Sequence, residues 1–306
     1  MSNDLTKNNG HHELYPEMKQ GIIYALAAYI IWGLAPIYFK ILESVPAEQI
    51  VGFRIIFSLF FMILLVTSYK GWKNLRAIFK TPKKFFWLFL ASHLIGVNWF
   101  IFIWAVNNHH VLDTSLGYFI NPLINIVIGT LFLKEKLRKM QWIAVGITFC
   151  AVGYQVWQFH AIPFIALSLA ITFSIYGVVK KKIAIDAQTS MLIETFMLLP
   201  AAMILFFFVI DDIAAVVNSY SLGFIFTLAL SGIITTVPLI FFSAAASKIP
   251  FSYLGFFQYI GPSMGFILAI TLFEEDLSPS RFITFALIWF ALALIILDSL
   301  KSTKKR

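Results

Sequence analysis

The chain has 306 residues and a formal charge of +8; 60% of it is hydrophobic and only 12% is charged. A soluble domain carries about 25% charged residues, so this composition cannot wet a soluble surface and excludes an ordinary two-domain soluble enzyme. The single cysteine, Cys150, excludes an internal disulfide and reads as a small packing residue within an apolar run.

Residues 1–18 are polar and read as a cytoplasmic tail. Apolar runs near the length a bilayer requires then follow at 20–41, 49–69, 85–106, 113–133, 141–159, 162–179, 189–210, 222–247, 252–273 and 281–300. Residues 301–306 form a basic tail. The runs are too long for barrel strands and lack the alternation of a barrel wall, so they are read as helices. The first is too long for a signal-peptide core. Pro36, Lys40 and Glu43 make no small-residue cleavage site, so it is expected to stay as the first helix. The expected fold is an all-α membrane protein with ten transmembrane helices. Too little chain remains outside the runs for a soluble catalytic domain.

Basic residues orient this arrangement. With the N-terminus in the cytoplasm, 20 of the 23 Lys and Arg fall on the cytoplasmic side, including the Lys180-Lys181-Lys182 run; Lys40, Arg54 and Arg281 are the exceptions. The other side collects Glu43, Glu48, Asp113, Asp211, Asp212, Glu274, Glu275 and Asp276. The positive-inside rule then places both termini in the cytoplasm and favours an even number of spans. The charge of +8 follows from this asymmetry and from attraction of the C-terminal Lys304-Lys305-Arg306 to anionic lipid. The bilayer is thus an expected partner. Nucleic acid is not, because the aromatics lie in apolar runs rather than on a basic stacking platform.

The two halves of the chain echo each other at an offset of 140, which places Pro122 on Pro262 and Glu135 on Glu275. PLINIVIGTLFLKE from Pro122 compares with PSMGFILAITLFEE from Pro262, and Leu116-Gly117-Tyr118-Phe119 with Leu254-Gly255-Phe256-Phe257. Trp32-Gly33 and Lys40 compare with Phe173-Ser174 and Lys181 at offset 141. Residues 19–159 and 160–300 each hold five expected spans. Five is odd, so the second copy is inverted. Two inverted five-helix repeats are a transporter architecture, with the substrate site near the midplane.

Several stretches resemble the EamA-like drug/metabolite transporters, and within them the RarD-type members. They are Ala27-Ala28-Tyr29 through Trp32-Gly33 to Pro36; the run Phe102 to Pro122; Lys181-Lys182-Ile183-Ala184; Met191-Leu192-Ile193-Glu194-Thr195; Thr235-Thr236-Val237-Pro238; and Leu254 to Pro262, LGFFQYIGP. The resemblance covers about residues 19–300. It implies an inner-membrane protein of ten helices with both termini inside, often labelled a chloramphenicol-sensitive permease.

An intramembrane charge is a functional candidate by default. Arg54 lies roughly 10 Å into the second run at 1.5 Å per residue. Glu194 lies about as deep in the seventh, at the equivalent position of the inverted copy. Arg54 suits an anionic group such as a carboxylate, or gates the outer side. Glu194 suits a proton or a cationic group, and proton coupling would need burial to raise its pKa. The alternative is that both pin neighbouring helices. Asn121 and Asn125 share a helix face, and Gly261 and Gly265 are their counterparts. This reads either as an asymmetric polar cavity, with Tyr118 and Gln258 contributing, or as close helix packing. Pro122 and Pro262 each free a carbonyl one turn earlier. Asn98, Trp99, Trp104, Thr235, Thr236 and Trp32 are further candidates for the pathway, and the wall aromatics suit a solute with an apolar or aromatic part. Lys40 reads as snorkelling. His93 reads as a satisfied core residue and His109-His110 as a surface turn. Glu135 and Glu275 read as organising loop entry. No phosphate loop, metal set or nucleophile–base pair is evident, so neither an ATP-driven pump nor an intramembrane enzyme is expected, and no cofactor. The expected function is secondary transport of a small organic metabolite or drug-like solute by alternating access. A non-transporting scaffold or sensor is the alternative, and a passive channel would lack saturation and counterflow.

Overall fold

Runs that are apolar around their whole circumference satisfy their backbone only as helices when no water is at hand, and the computed structural model follows that rule. It describes residues 9–42, 44–107, 110–158, 163–183, 185–210, 220–272 and 279–304, with no strand among them. The helices are α1 (Asn9–Ile41), α2 (Ala47–Ser68), α3 (Trp72–Phe79), α4 (Pro82–Asn107), α5 (Val111–Val127), α6 (Lys139–Trp157), α7 (Phe164–Lys182), α8 (Ala187–Met197) and α9 (Leu199–Ile204). They continue as α10 (Leu222–Lys248), α11 (Phe251–Gln258), α12 (Ile260–Thr271) and α13 (Pro279–Lys304). Single π-helical turns extend α5 over Ile128–Phe132 and α9 over Leu205–Val209.

Seven helical stretches are long and apolar enough to cross a bilayer: Pro16–Ile41, Glu48–Ser68, Pro82–Phe102, Thr114–Phe132, Phe164–Lys182, Ala187–Val209 and Leu222–Lys248. The other three expected spans are helical as well. α6 is 19 residues long, α13 has its apolar part at Phe282–Asp298, and the 252–273 run is divided between α11 and α12. Two boundaries differ from the expectation. The first helix begins at Asn9, inside the stretch read as a tail. The basic connection after α2 contains α3, whose Trp72, Leu75 and Ile78 repeat at helical spacing opposite Lys73 and Arg76. Such a short amphipathic piece suits a bilayer surface.

Proline chemistry explains the breaks. Pro262 cannot donate to the carbonyl of Gln258, and the helix is interrupted there, at Tyr259. Pro200 separates α8 from α9 in the same way. Pro122 is carried inside α5 without a break.

Helix packing is paired across the chain. α1 lies on α10 and α12, while α7 lies on α4 and α5. α2 packs on α10, and α8 on α4. α2 meets α8, α5 meets α11, and α6 meets α13. Two contacts are backbone-close. A Cβ on Gly232 of α10 would fall 2.5 Å from the Phe57 carbonyl carbon of α2, and one on Gly255 of α11 would fall 2.7 Å from the Pro122 carbonyl oxygen of α5. Glycine is therefore required at both. The main core draws on α1, α2, α4, α7, α8, α10 and α11. Large apolar side chains, including Phe60, Phe100, Phe132, Trp157 and Phe208, point outward, as expected where the surrounding medium is lipid rather than water.

Candidate functional site

Four helices meet at Arg54: α2, which carries it, and α1, α4 and α5. Its guanidinium carbon lies 4.3 Å from the centre of the Trp99 ring of α4, a cation–π contact. Tyr38 of α1 and Tyr118 of α5 are within its electrostatic reach. The Tyr38 hydroxyl donates to the Thr227 carbonyl of α10 at 2.7 Å. The Arg54 Nε is buried and has no hydrogen-bond partner among the described residues. Tyr118 leaves 51% of its surface accessible beside this charge. Phe102 lies beside it, with ring centres 6.4 Å apart. Arg54, Trp99 and Tyr118 are thereby brought together as one cationic, aromatic-walled recess.

Glu194 occupies a different environment. It is fully buried on α8 and paired with Lys180 Nζ of α7 at 2.5 Å. The Ser190 hydroxyl donates to the same carboxylate oxygen at 2.7 Å, and the Tyr176 hydroxyl to the other at 3.1 Å. Lys180 also donates to Ser190. Tyr176 joins an aromatic cluster with Phe173 and Phe242, which continues to Trp32 and Tyr29. One expectation changes: Lys180 is buried between α7 and α8 rather than placed in a cytoplasmic loop, and it is the cationic group that Glu194 meets. Sequence reasoning missed Lys180, Tyr176 and Ser190. The Ser190/Glu194 spacing of one helical turn was a usable signal, but the lysine run hid the fact that its first member belongs to the helix packing face.

The amides form a third cluster. Asn121 donates to the Ala170 carbonyl at 2.6 Å and to Ser174 Oγ at 2.9 Å, and accepts from Gln258 Nε2. Asn125 donates to Gln258 Oε1 at 2.6 Å. All three side chains are buried, so they fasten α5, α7 and α11 together. The small residue against Asn125 is Gly255. A Cβ on Gly261 would be 3.9 Å from the Tyr29 carbonyl, and one on Gly265 would meet nothing within 4 Å.

The remaining candidates are dispersed. Asn98 fastens α4 to α7 through Leu169 O at 2.8 Å and Thr172 Oγ1 at 2.9 Å. Trp104 is exposed and stacks on His110. Thr236 bonds back to Gly232 O, whereas the buried Thr235 hydroxyl has no partner among the described residues. Glu135 caps α11, accepting from Phe251 N at 2.6 Å and from Ser252 N and Oγ at 2.8 and 2.7 Å. Lys40 is exposed. His93 and Cys150 are exposed rather than in the core, because each points away from the packing face of its helix; His93 is satisfied locally by Phe89 O and Ser92. Glu43, His109, Asp211, Asp212, Glu274, Glu275 and Asp276 lie outside the described residues. No three His, Cys, Asp or Glu among the described residues could hold a metal.

An apolar helical bundle with charges on its interior faces defines a multi-pass membrane protein, and comparison with known proteins assigns it to the transporters. The pattern of the EamA-like transporter family matches residues 19–155. Protein RarD of Escherichia coli K12 is 48% identical over 289 residues, covering 94% of this chain and 98% of its own. The uncharacterized transporter YojE of Bacillus subtilis is 38% identical, over 94% and 97%. A chloramphenicol-sensitive protein RarD of Pseudomonas aeruginosa is 28% identical over 94% and 97%. A protein of known crystal structure, 15% identical, superposes with a TM-score of 0.69 over 91% of this chain and 98% of its own, a likeness of fold. The chain belongs to the RarD-type members of the EamA-like transporter family.

Proposed function

We propose that this protein is a secondary transporter of a small organic metabolite or drug-like solute, working by alternating access between two inverted five-helix repeats. In this reading the three remaining helical segments cross the bilayer too, giving ten spans. The membrane is the inner membrane, and the basic residues hold both termini in the cytoplasm. The paired packing supports the repeat. Exchanging the halves turns several of the larger contacts into other observed ones: α1 on α10 becomes α7 on α4, and α2 on α10 becomes α8 on α4.

One observation carries the mechanism. The two equivalent charged positions are in opposite states: Arg54 borders an accessible recess, while Glu194 is sealed by Lys180, Ser190 and Tyr176. That asymmetry suits a carrier open on the Arg54 side and closed on the other. Opening the second side would separate Lys180 from Glu194 and leave the carboxylate free to take a proton, which would couple transport to a proton gradient.

The test is counterflow in liposomes containing the purified full chain. The first solute tested is chloramphenicol, named for one relative, followed by a panel of organic acids, amines and neutral aromatics. A transporter accumulates labelled solute against preloaded unlabelled solute, and the rate saturates. Flux without saturation or counterflow would mean a channel, and no flux of any solute would favour a scaffold or sensor.

A further inference from the structure

We propose that the Arg54 recess is a binding site for an organic acid with a planar apolar body: the carboxylate sits on the Arg54 guanidinium, and the ring lies along Trp99 and Tyr118. This rests on the transport reading only for what binding accomplishes; the site itself is argued from its own geometry.

Three features point to an acid. First, the described residues place no carboxylate in ion-pair distance of Arg54, although every other buried cation or carboxylate among the spans described above has a partner. An unpaired charge in a membrane interior is costly, and an anion removes that cost. Second, Nε is buried without a partner, which leaves the two terminal nitrogens to meet a ligand. A carboxylate approaching end-on takes both terminal nitrogens in two parallel hydrogen bonds, the fork geometry that arginine offers and lysine cannot. Third, one face of the guanidinium already stacks on Trp99 at 4.3 Å. This fixes the plane of the fork and leaves its edge for the ligand.

Two features point to a planar apolar body. The half-accessible Tyr118, with Phe102 beside it, supplies aromatic wall next to the cation. Two of the neighbouring polar side chains are already engaged: Tyr38 donates to Thr227 O, and Asn98 is spent on α7. A sugar or other polyol would find few free partners there. An amine would meet Arg54 as a like charge.

The experiment measures the melting temperature of the purified full chain, in detergent, with probes of matched shape. These are indole-3-acetate and benzoate as acids, indole-3-acetamide and benzamide as neutral counterparts, tryptamine as the amine, and hexanoate as an acid without a ring. The acids with rings are expected to raise the midpoint, binding at least tenfold tighter than their amides; tryptamine gives no shift. Arg54→Gln abolishes the preference for acid over amide, Arg54→Lys restores part of it, and Trp99→Leu erases the advantage of indole-3-acetate over hexanoate. Unliganded midpoints of the variants establish that each is folded. Trp99→Phe, which keeps a ring, serves if Trp99→Leu is not. Amides that bind as well as acids, acids that bind Arg54→Gln as tightly as the unmodified chain, or no shift with any probe would each overturn the site. Counterflow separates the two readings. Acids that bind but never exchange leave the site standing and remove the transport function, whereas counterflow restricted to neutral or cationic solutes does the reverse.

Discussion

Lys180 and Glu194 meet where neither has water. In such a pair the mutual attraction roughly offsets desolvation, so removing one partner is worse than removing both. Lys180→Met should lower stability by about 3–5 kcal/mol, and the double variant Lys180→Met/Glu194→Leu should recover most of it. Thermal unfolding of the three proteins in detergent measures this. Glu194→Gln keeps the shape and the hydrogen bond from Tyr176 but cannot ionise. If Glu194 is the coupling group, uptake by this variant in liposomes should no longer depend on an imposed pH gradient, whereas unchanged dependence would place coupling elsewhere. Asn121 contrasts with these residues. Its amide is fully engaged with Ala170, Ser174 and Gln258, so Asn121→Leu should impair folding and transport together.

Among the elements, α10 is the most constrained by shape. It crosses α2 so closely that Gly232 touches the backbone at Phe57 and Ser58, and Ser58 donates to the Gly232 carbonyl at 3.3 Å. A side chain there must force the helices apart. Gly232→Val should cost about 1–3 kcal/mol, the usual range for overpacking, and the loss should appear as a lower melting temperature. Gly146 and Gly153 of α6 have nothing within 4 Å of a would-be Cβ, so Gly146→Ala should be neutral or slightly stabilising. At the start of α11, Glu135 neutralises two amides of a helix N-terminus, with Lys181 Nζ 3.8 Å away. Lys181 also donates to the Ala246 and Ile249 carbonyls at the end of α10. This joint ties the first half to the turn between α10 and α11.

At the level of the whole molecule, the charge distribution predicts orientation. In a Cys150→Ser background, cysteines at Lys73 and Lys304 should resist a membrane-impermeant thiol reagent in intact cells and react once the membrane is permeabilised. A cysteine at Asp276 should react in intact cells. The background change is needed because Cys150 is itself exposed. Labelling of positions 73 and 304 from opposite sides would break the even-span topology.

The all-helical class, the approximate ends of the apolar runs and the family were legible in the linear chain, because apolar run length is a local quantity that the bilayer reads directly. Gln258 and Pro262 illustrate the same point: the break at Tyr259 follows from a missing N–H four residues on. The charges of Arg54 and Glu194 within apolar runs were visible too. What the two residues face was decided by the tertiary structure. Arg54 gained Trp99, Tyr38 and Tyr118 from three other helices, and Glu194 gained a lysine that looked like part of a loop. Such partners come from helix rotation and register, set by close contacts such as Gly232 on Phe57 and Gly255 on Pro122. An apolar run exposes every face to lipid equally well in one dimension. Only packing chooses which face turns inward, and with it which charge is paired within the described residues and which is not.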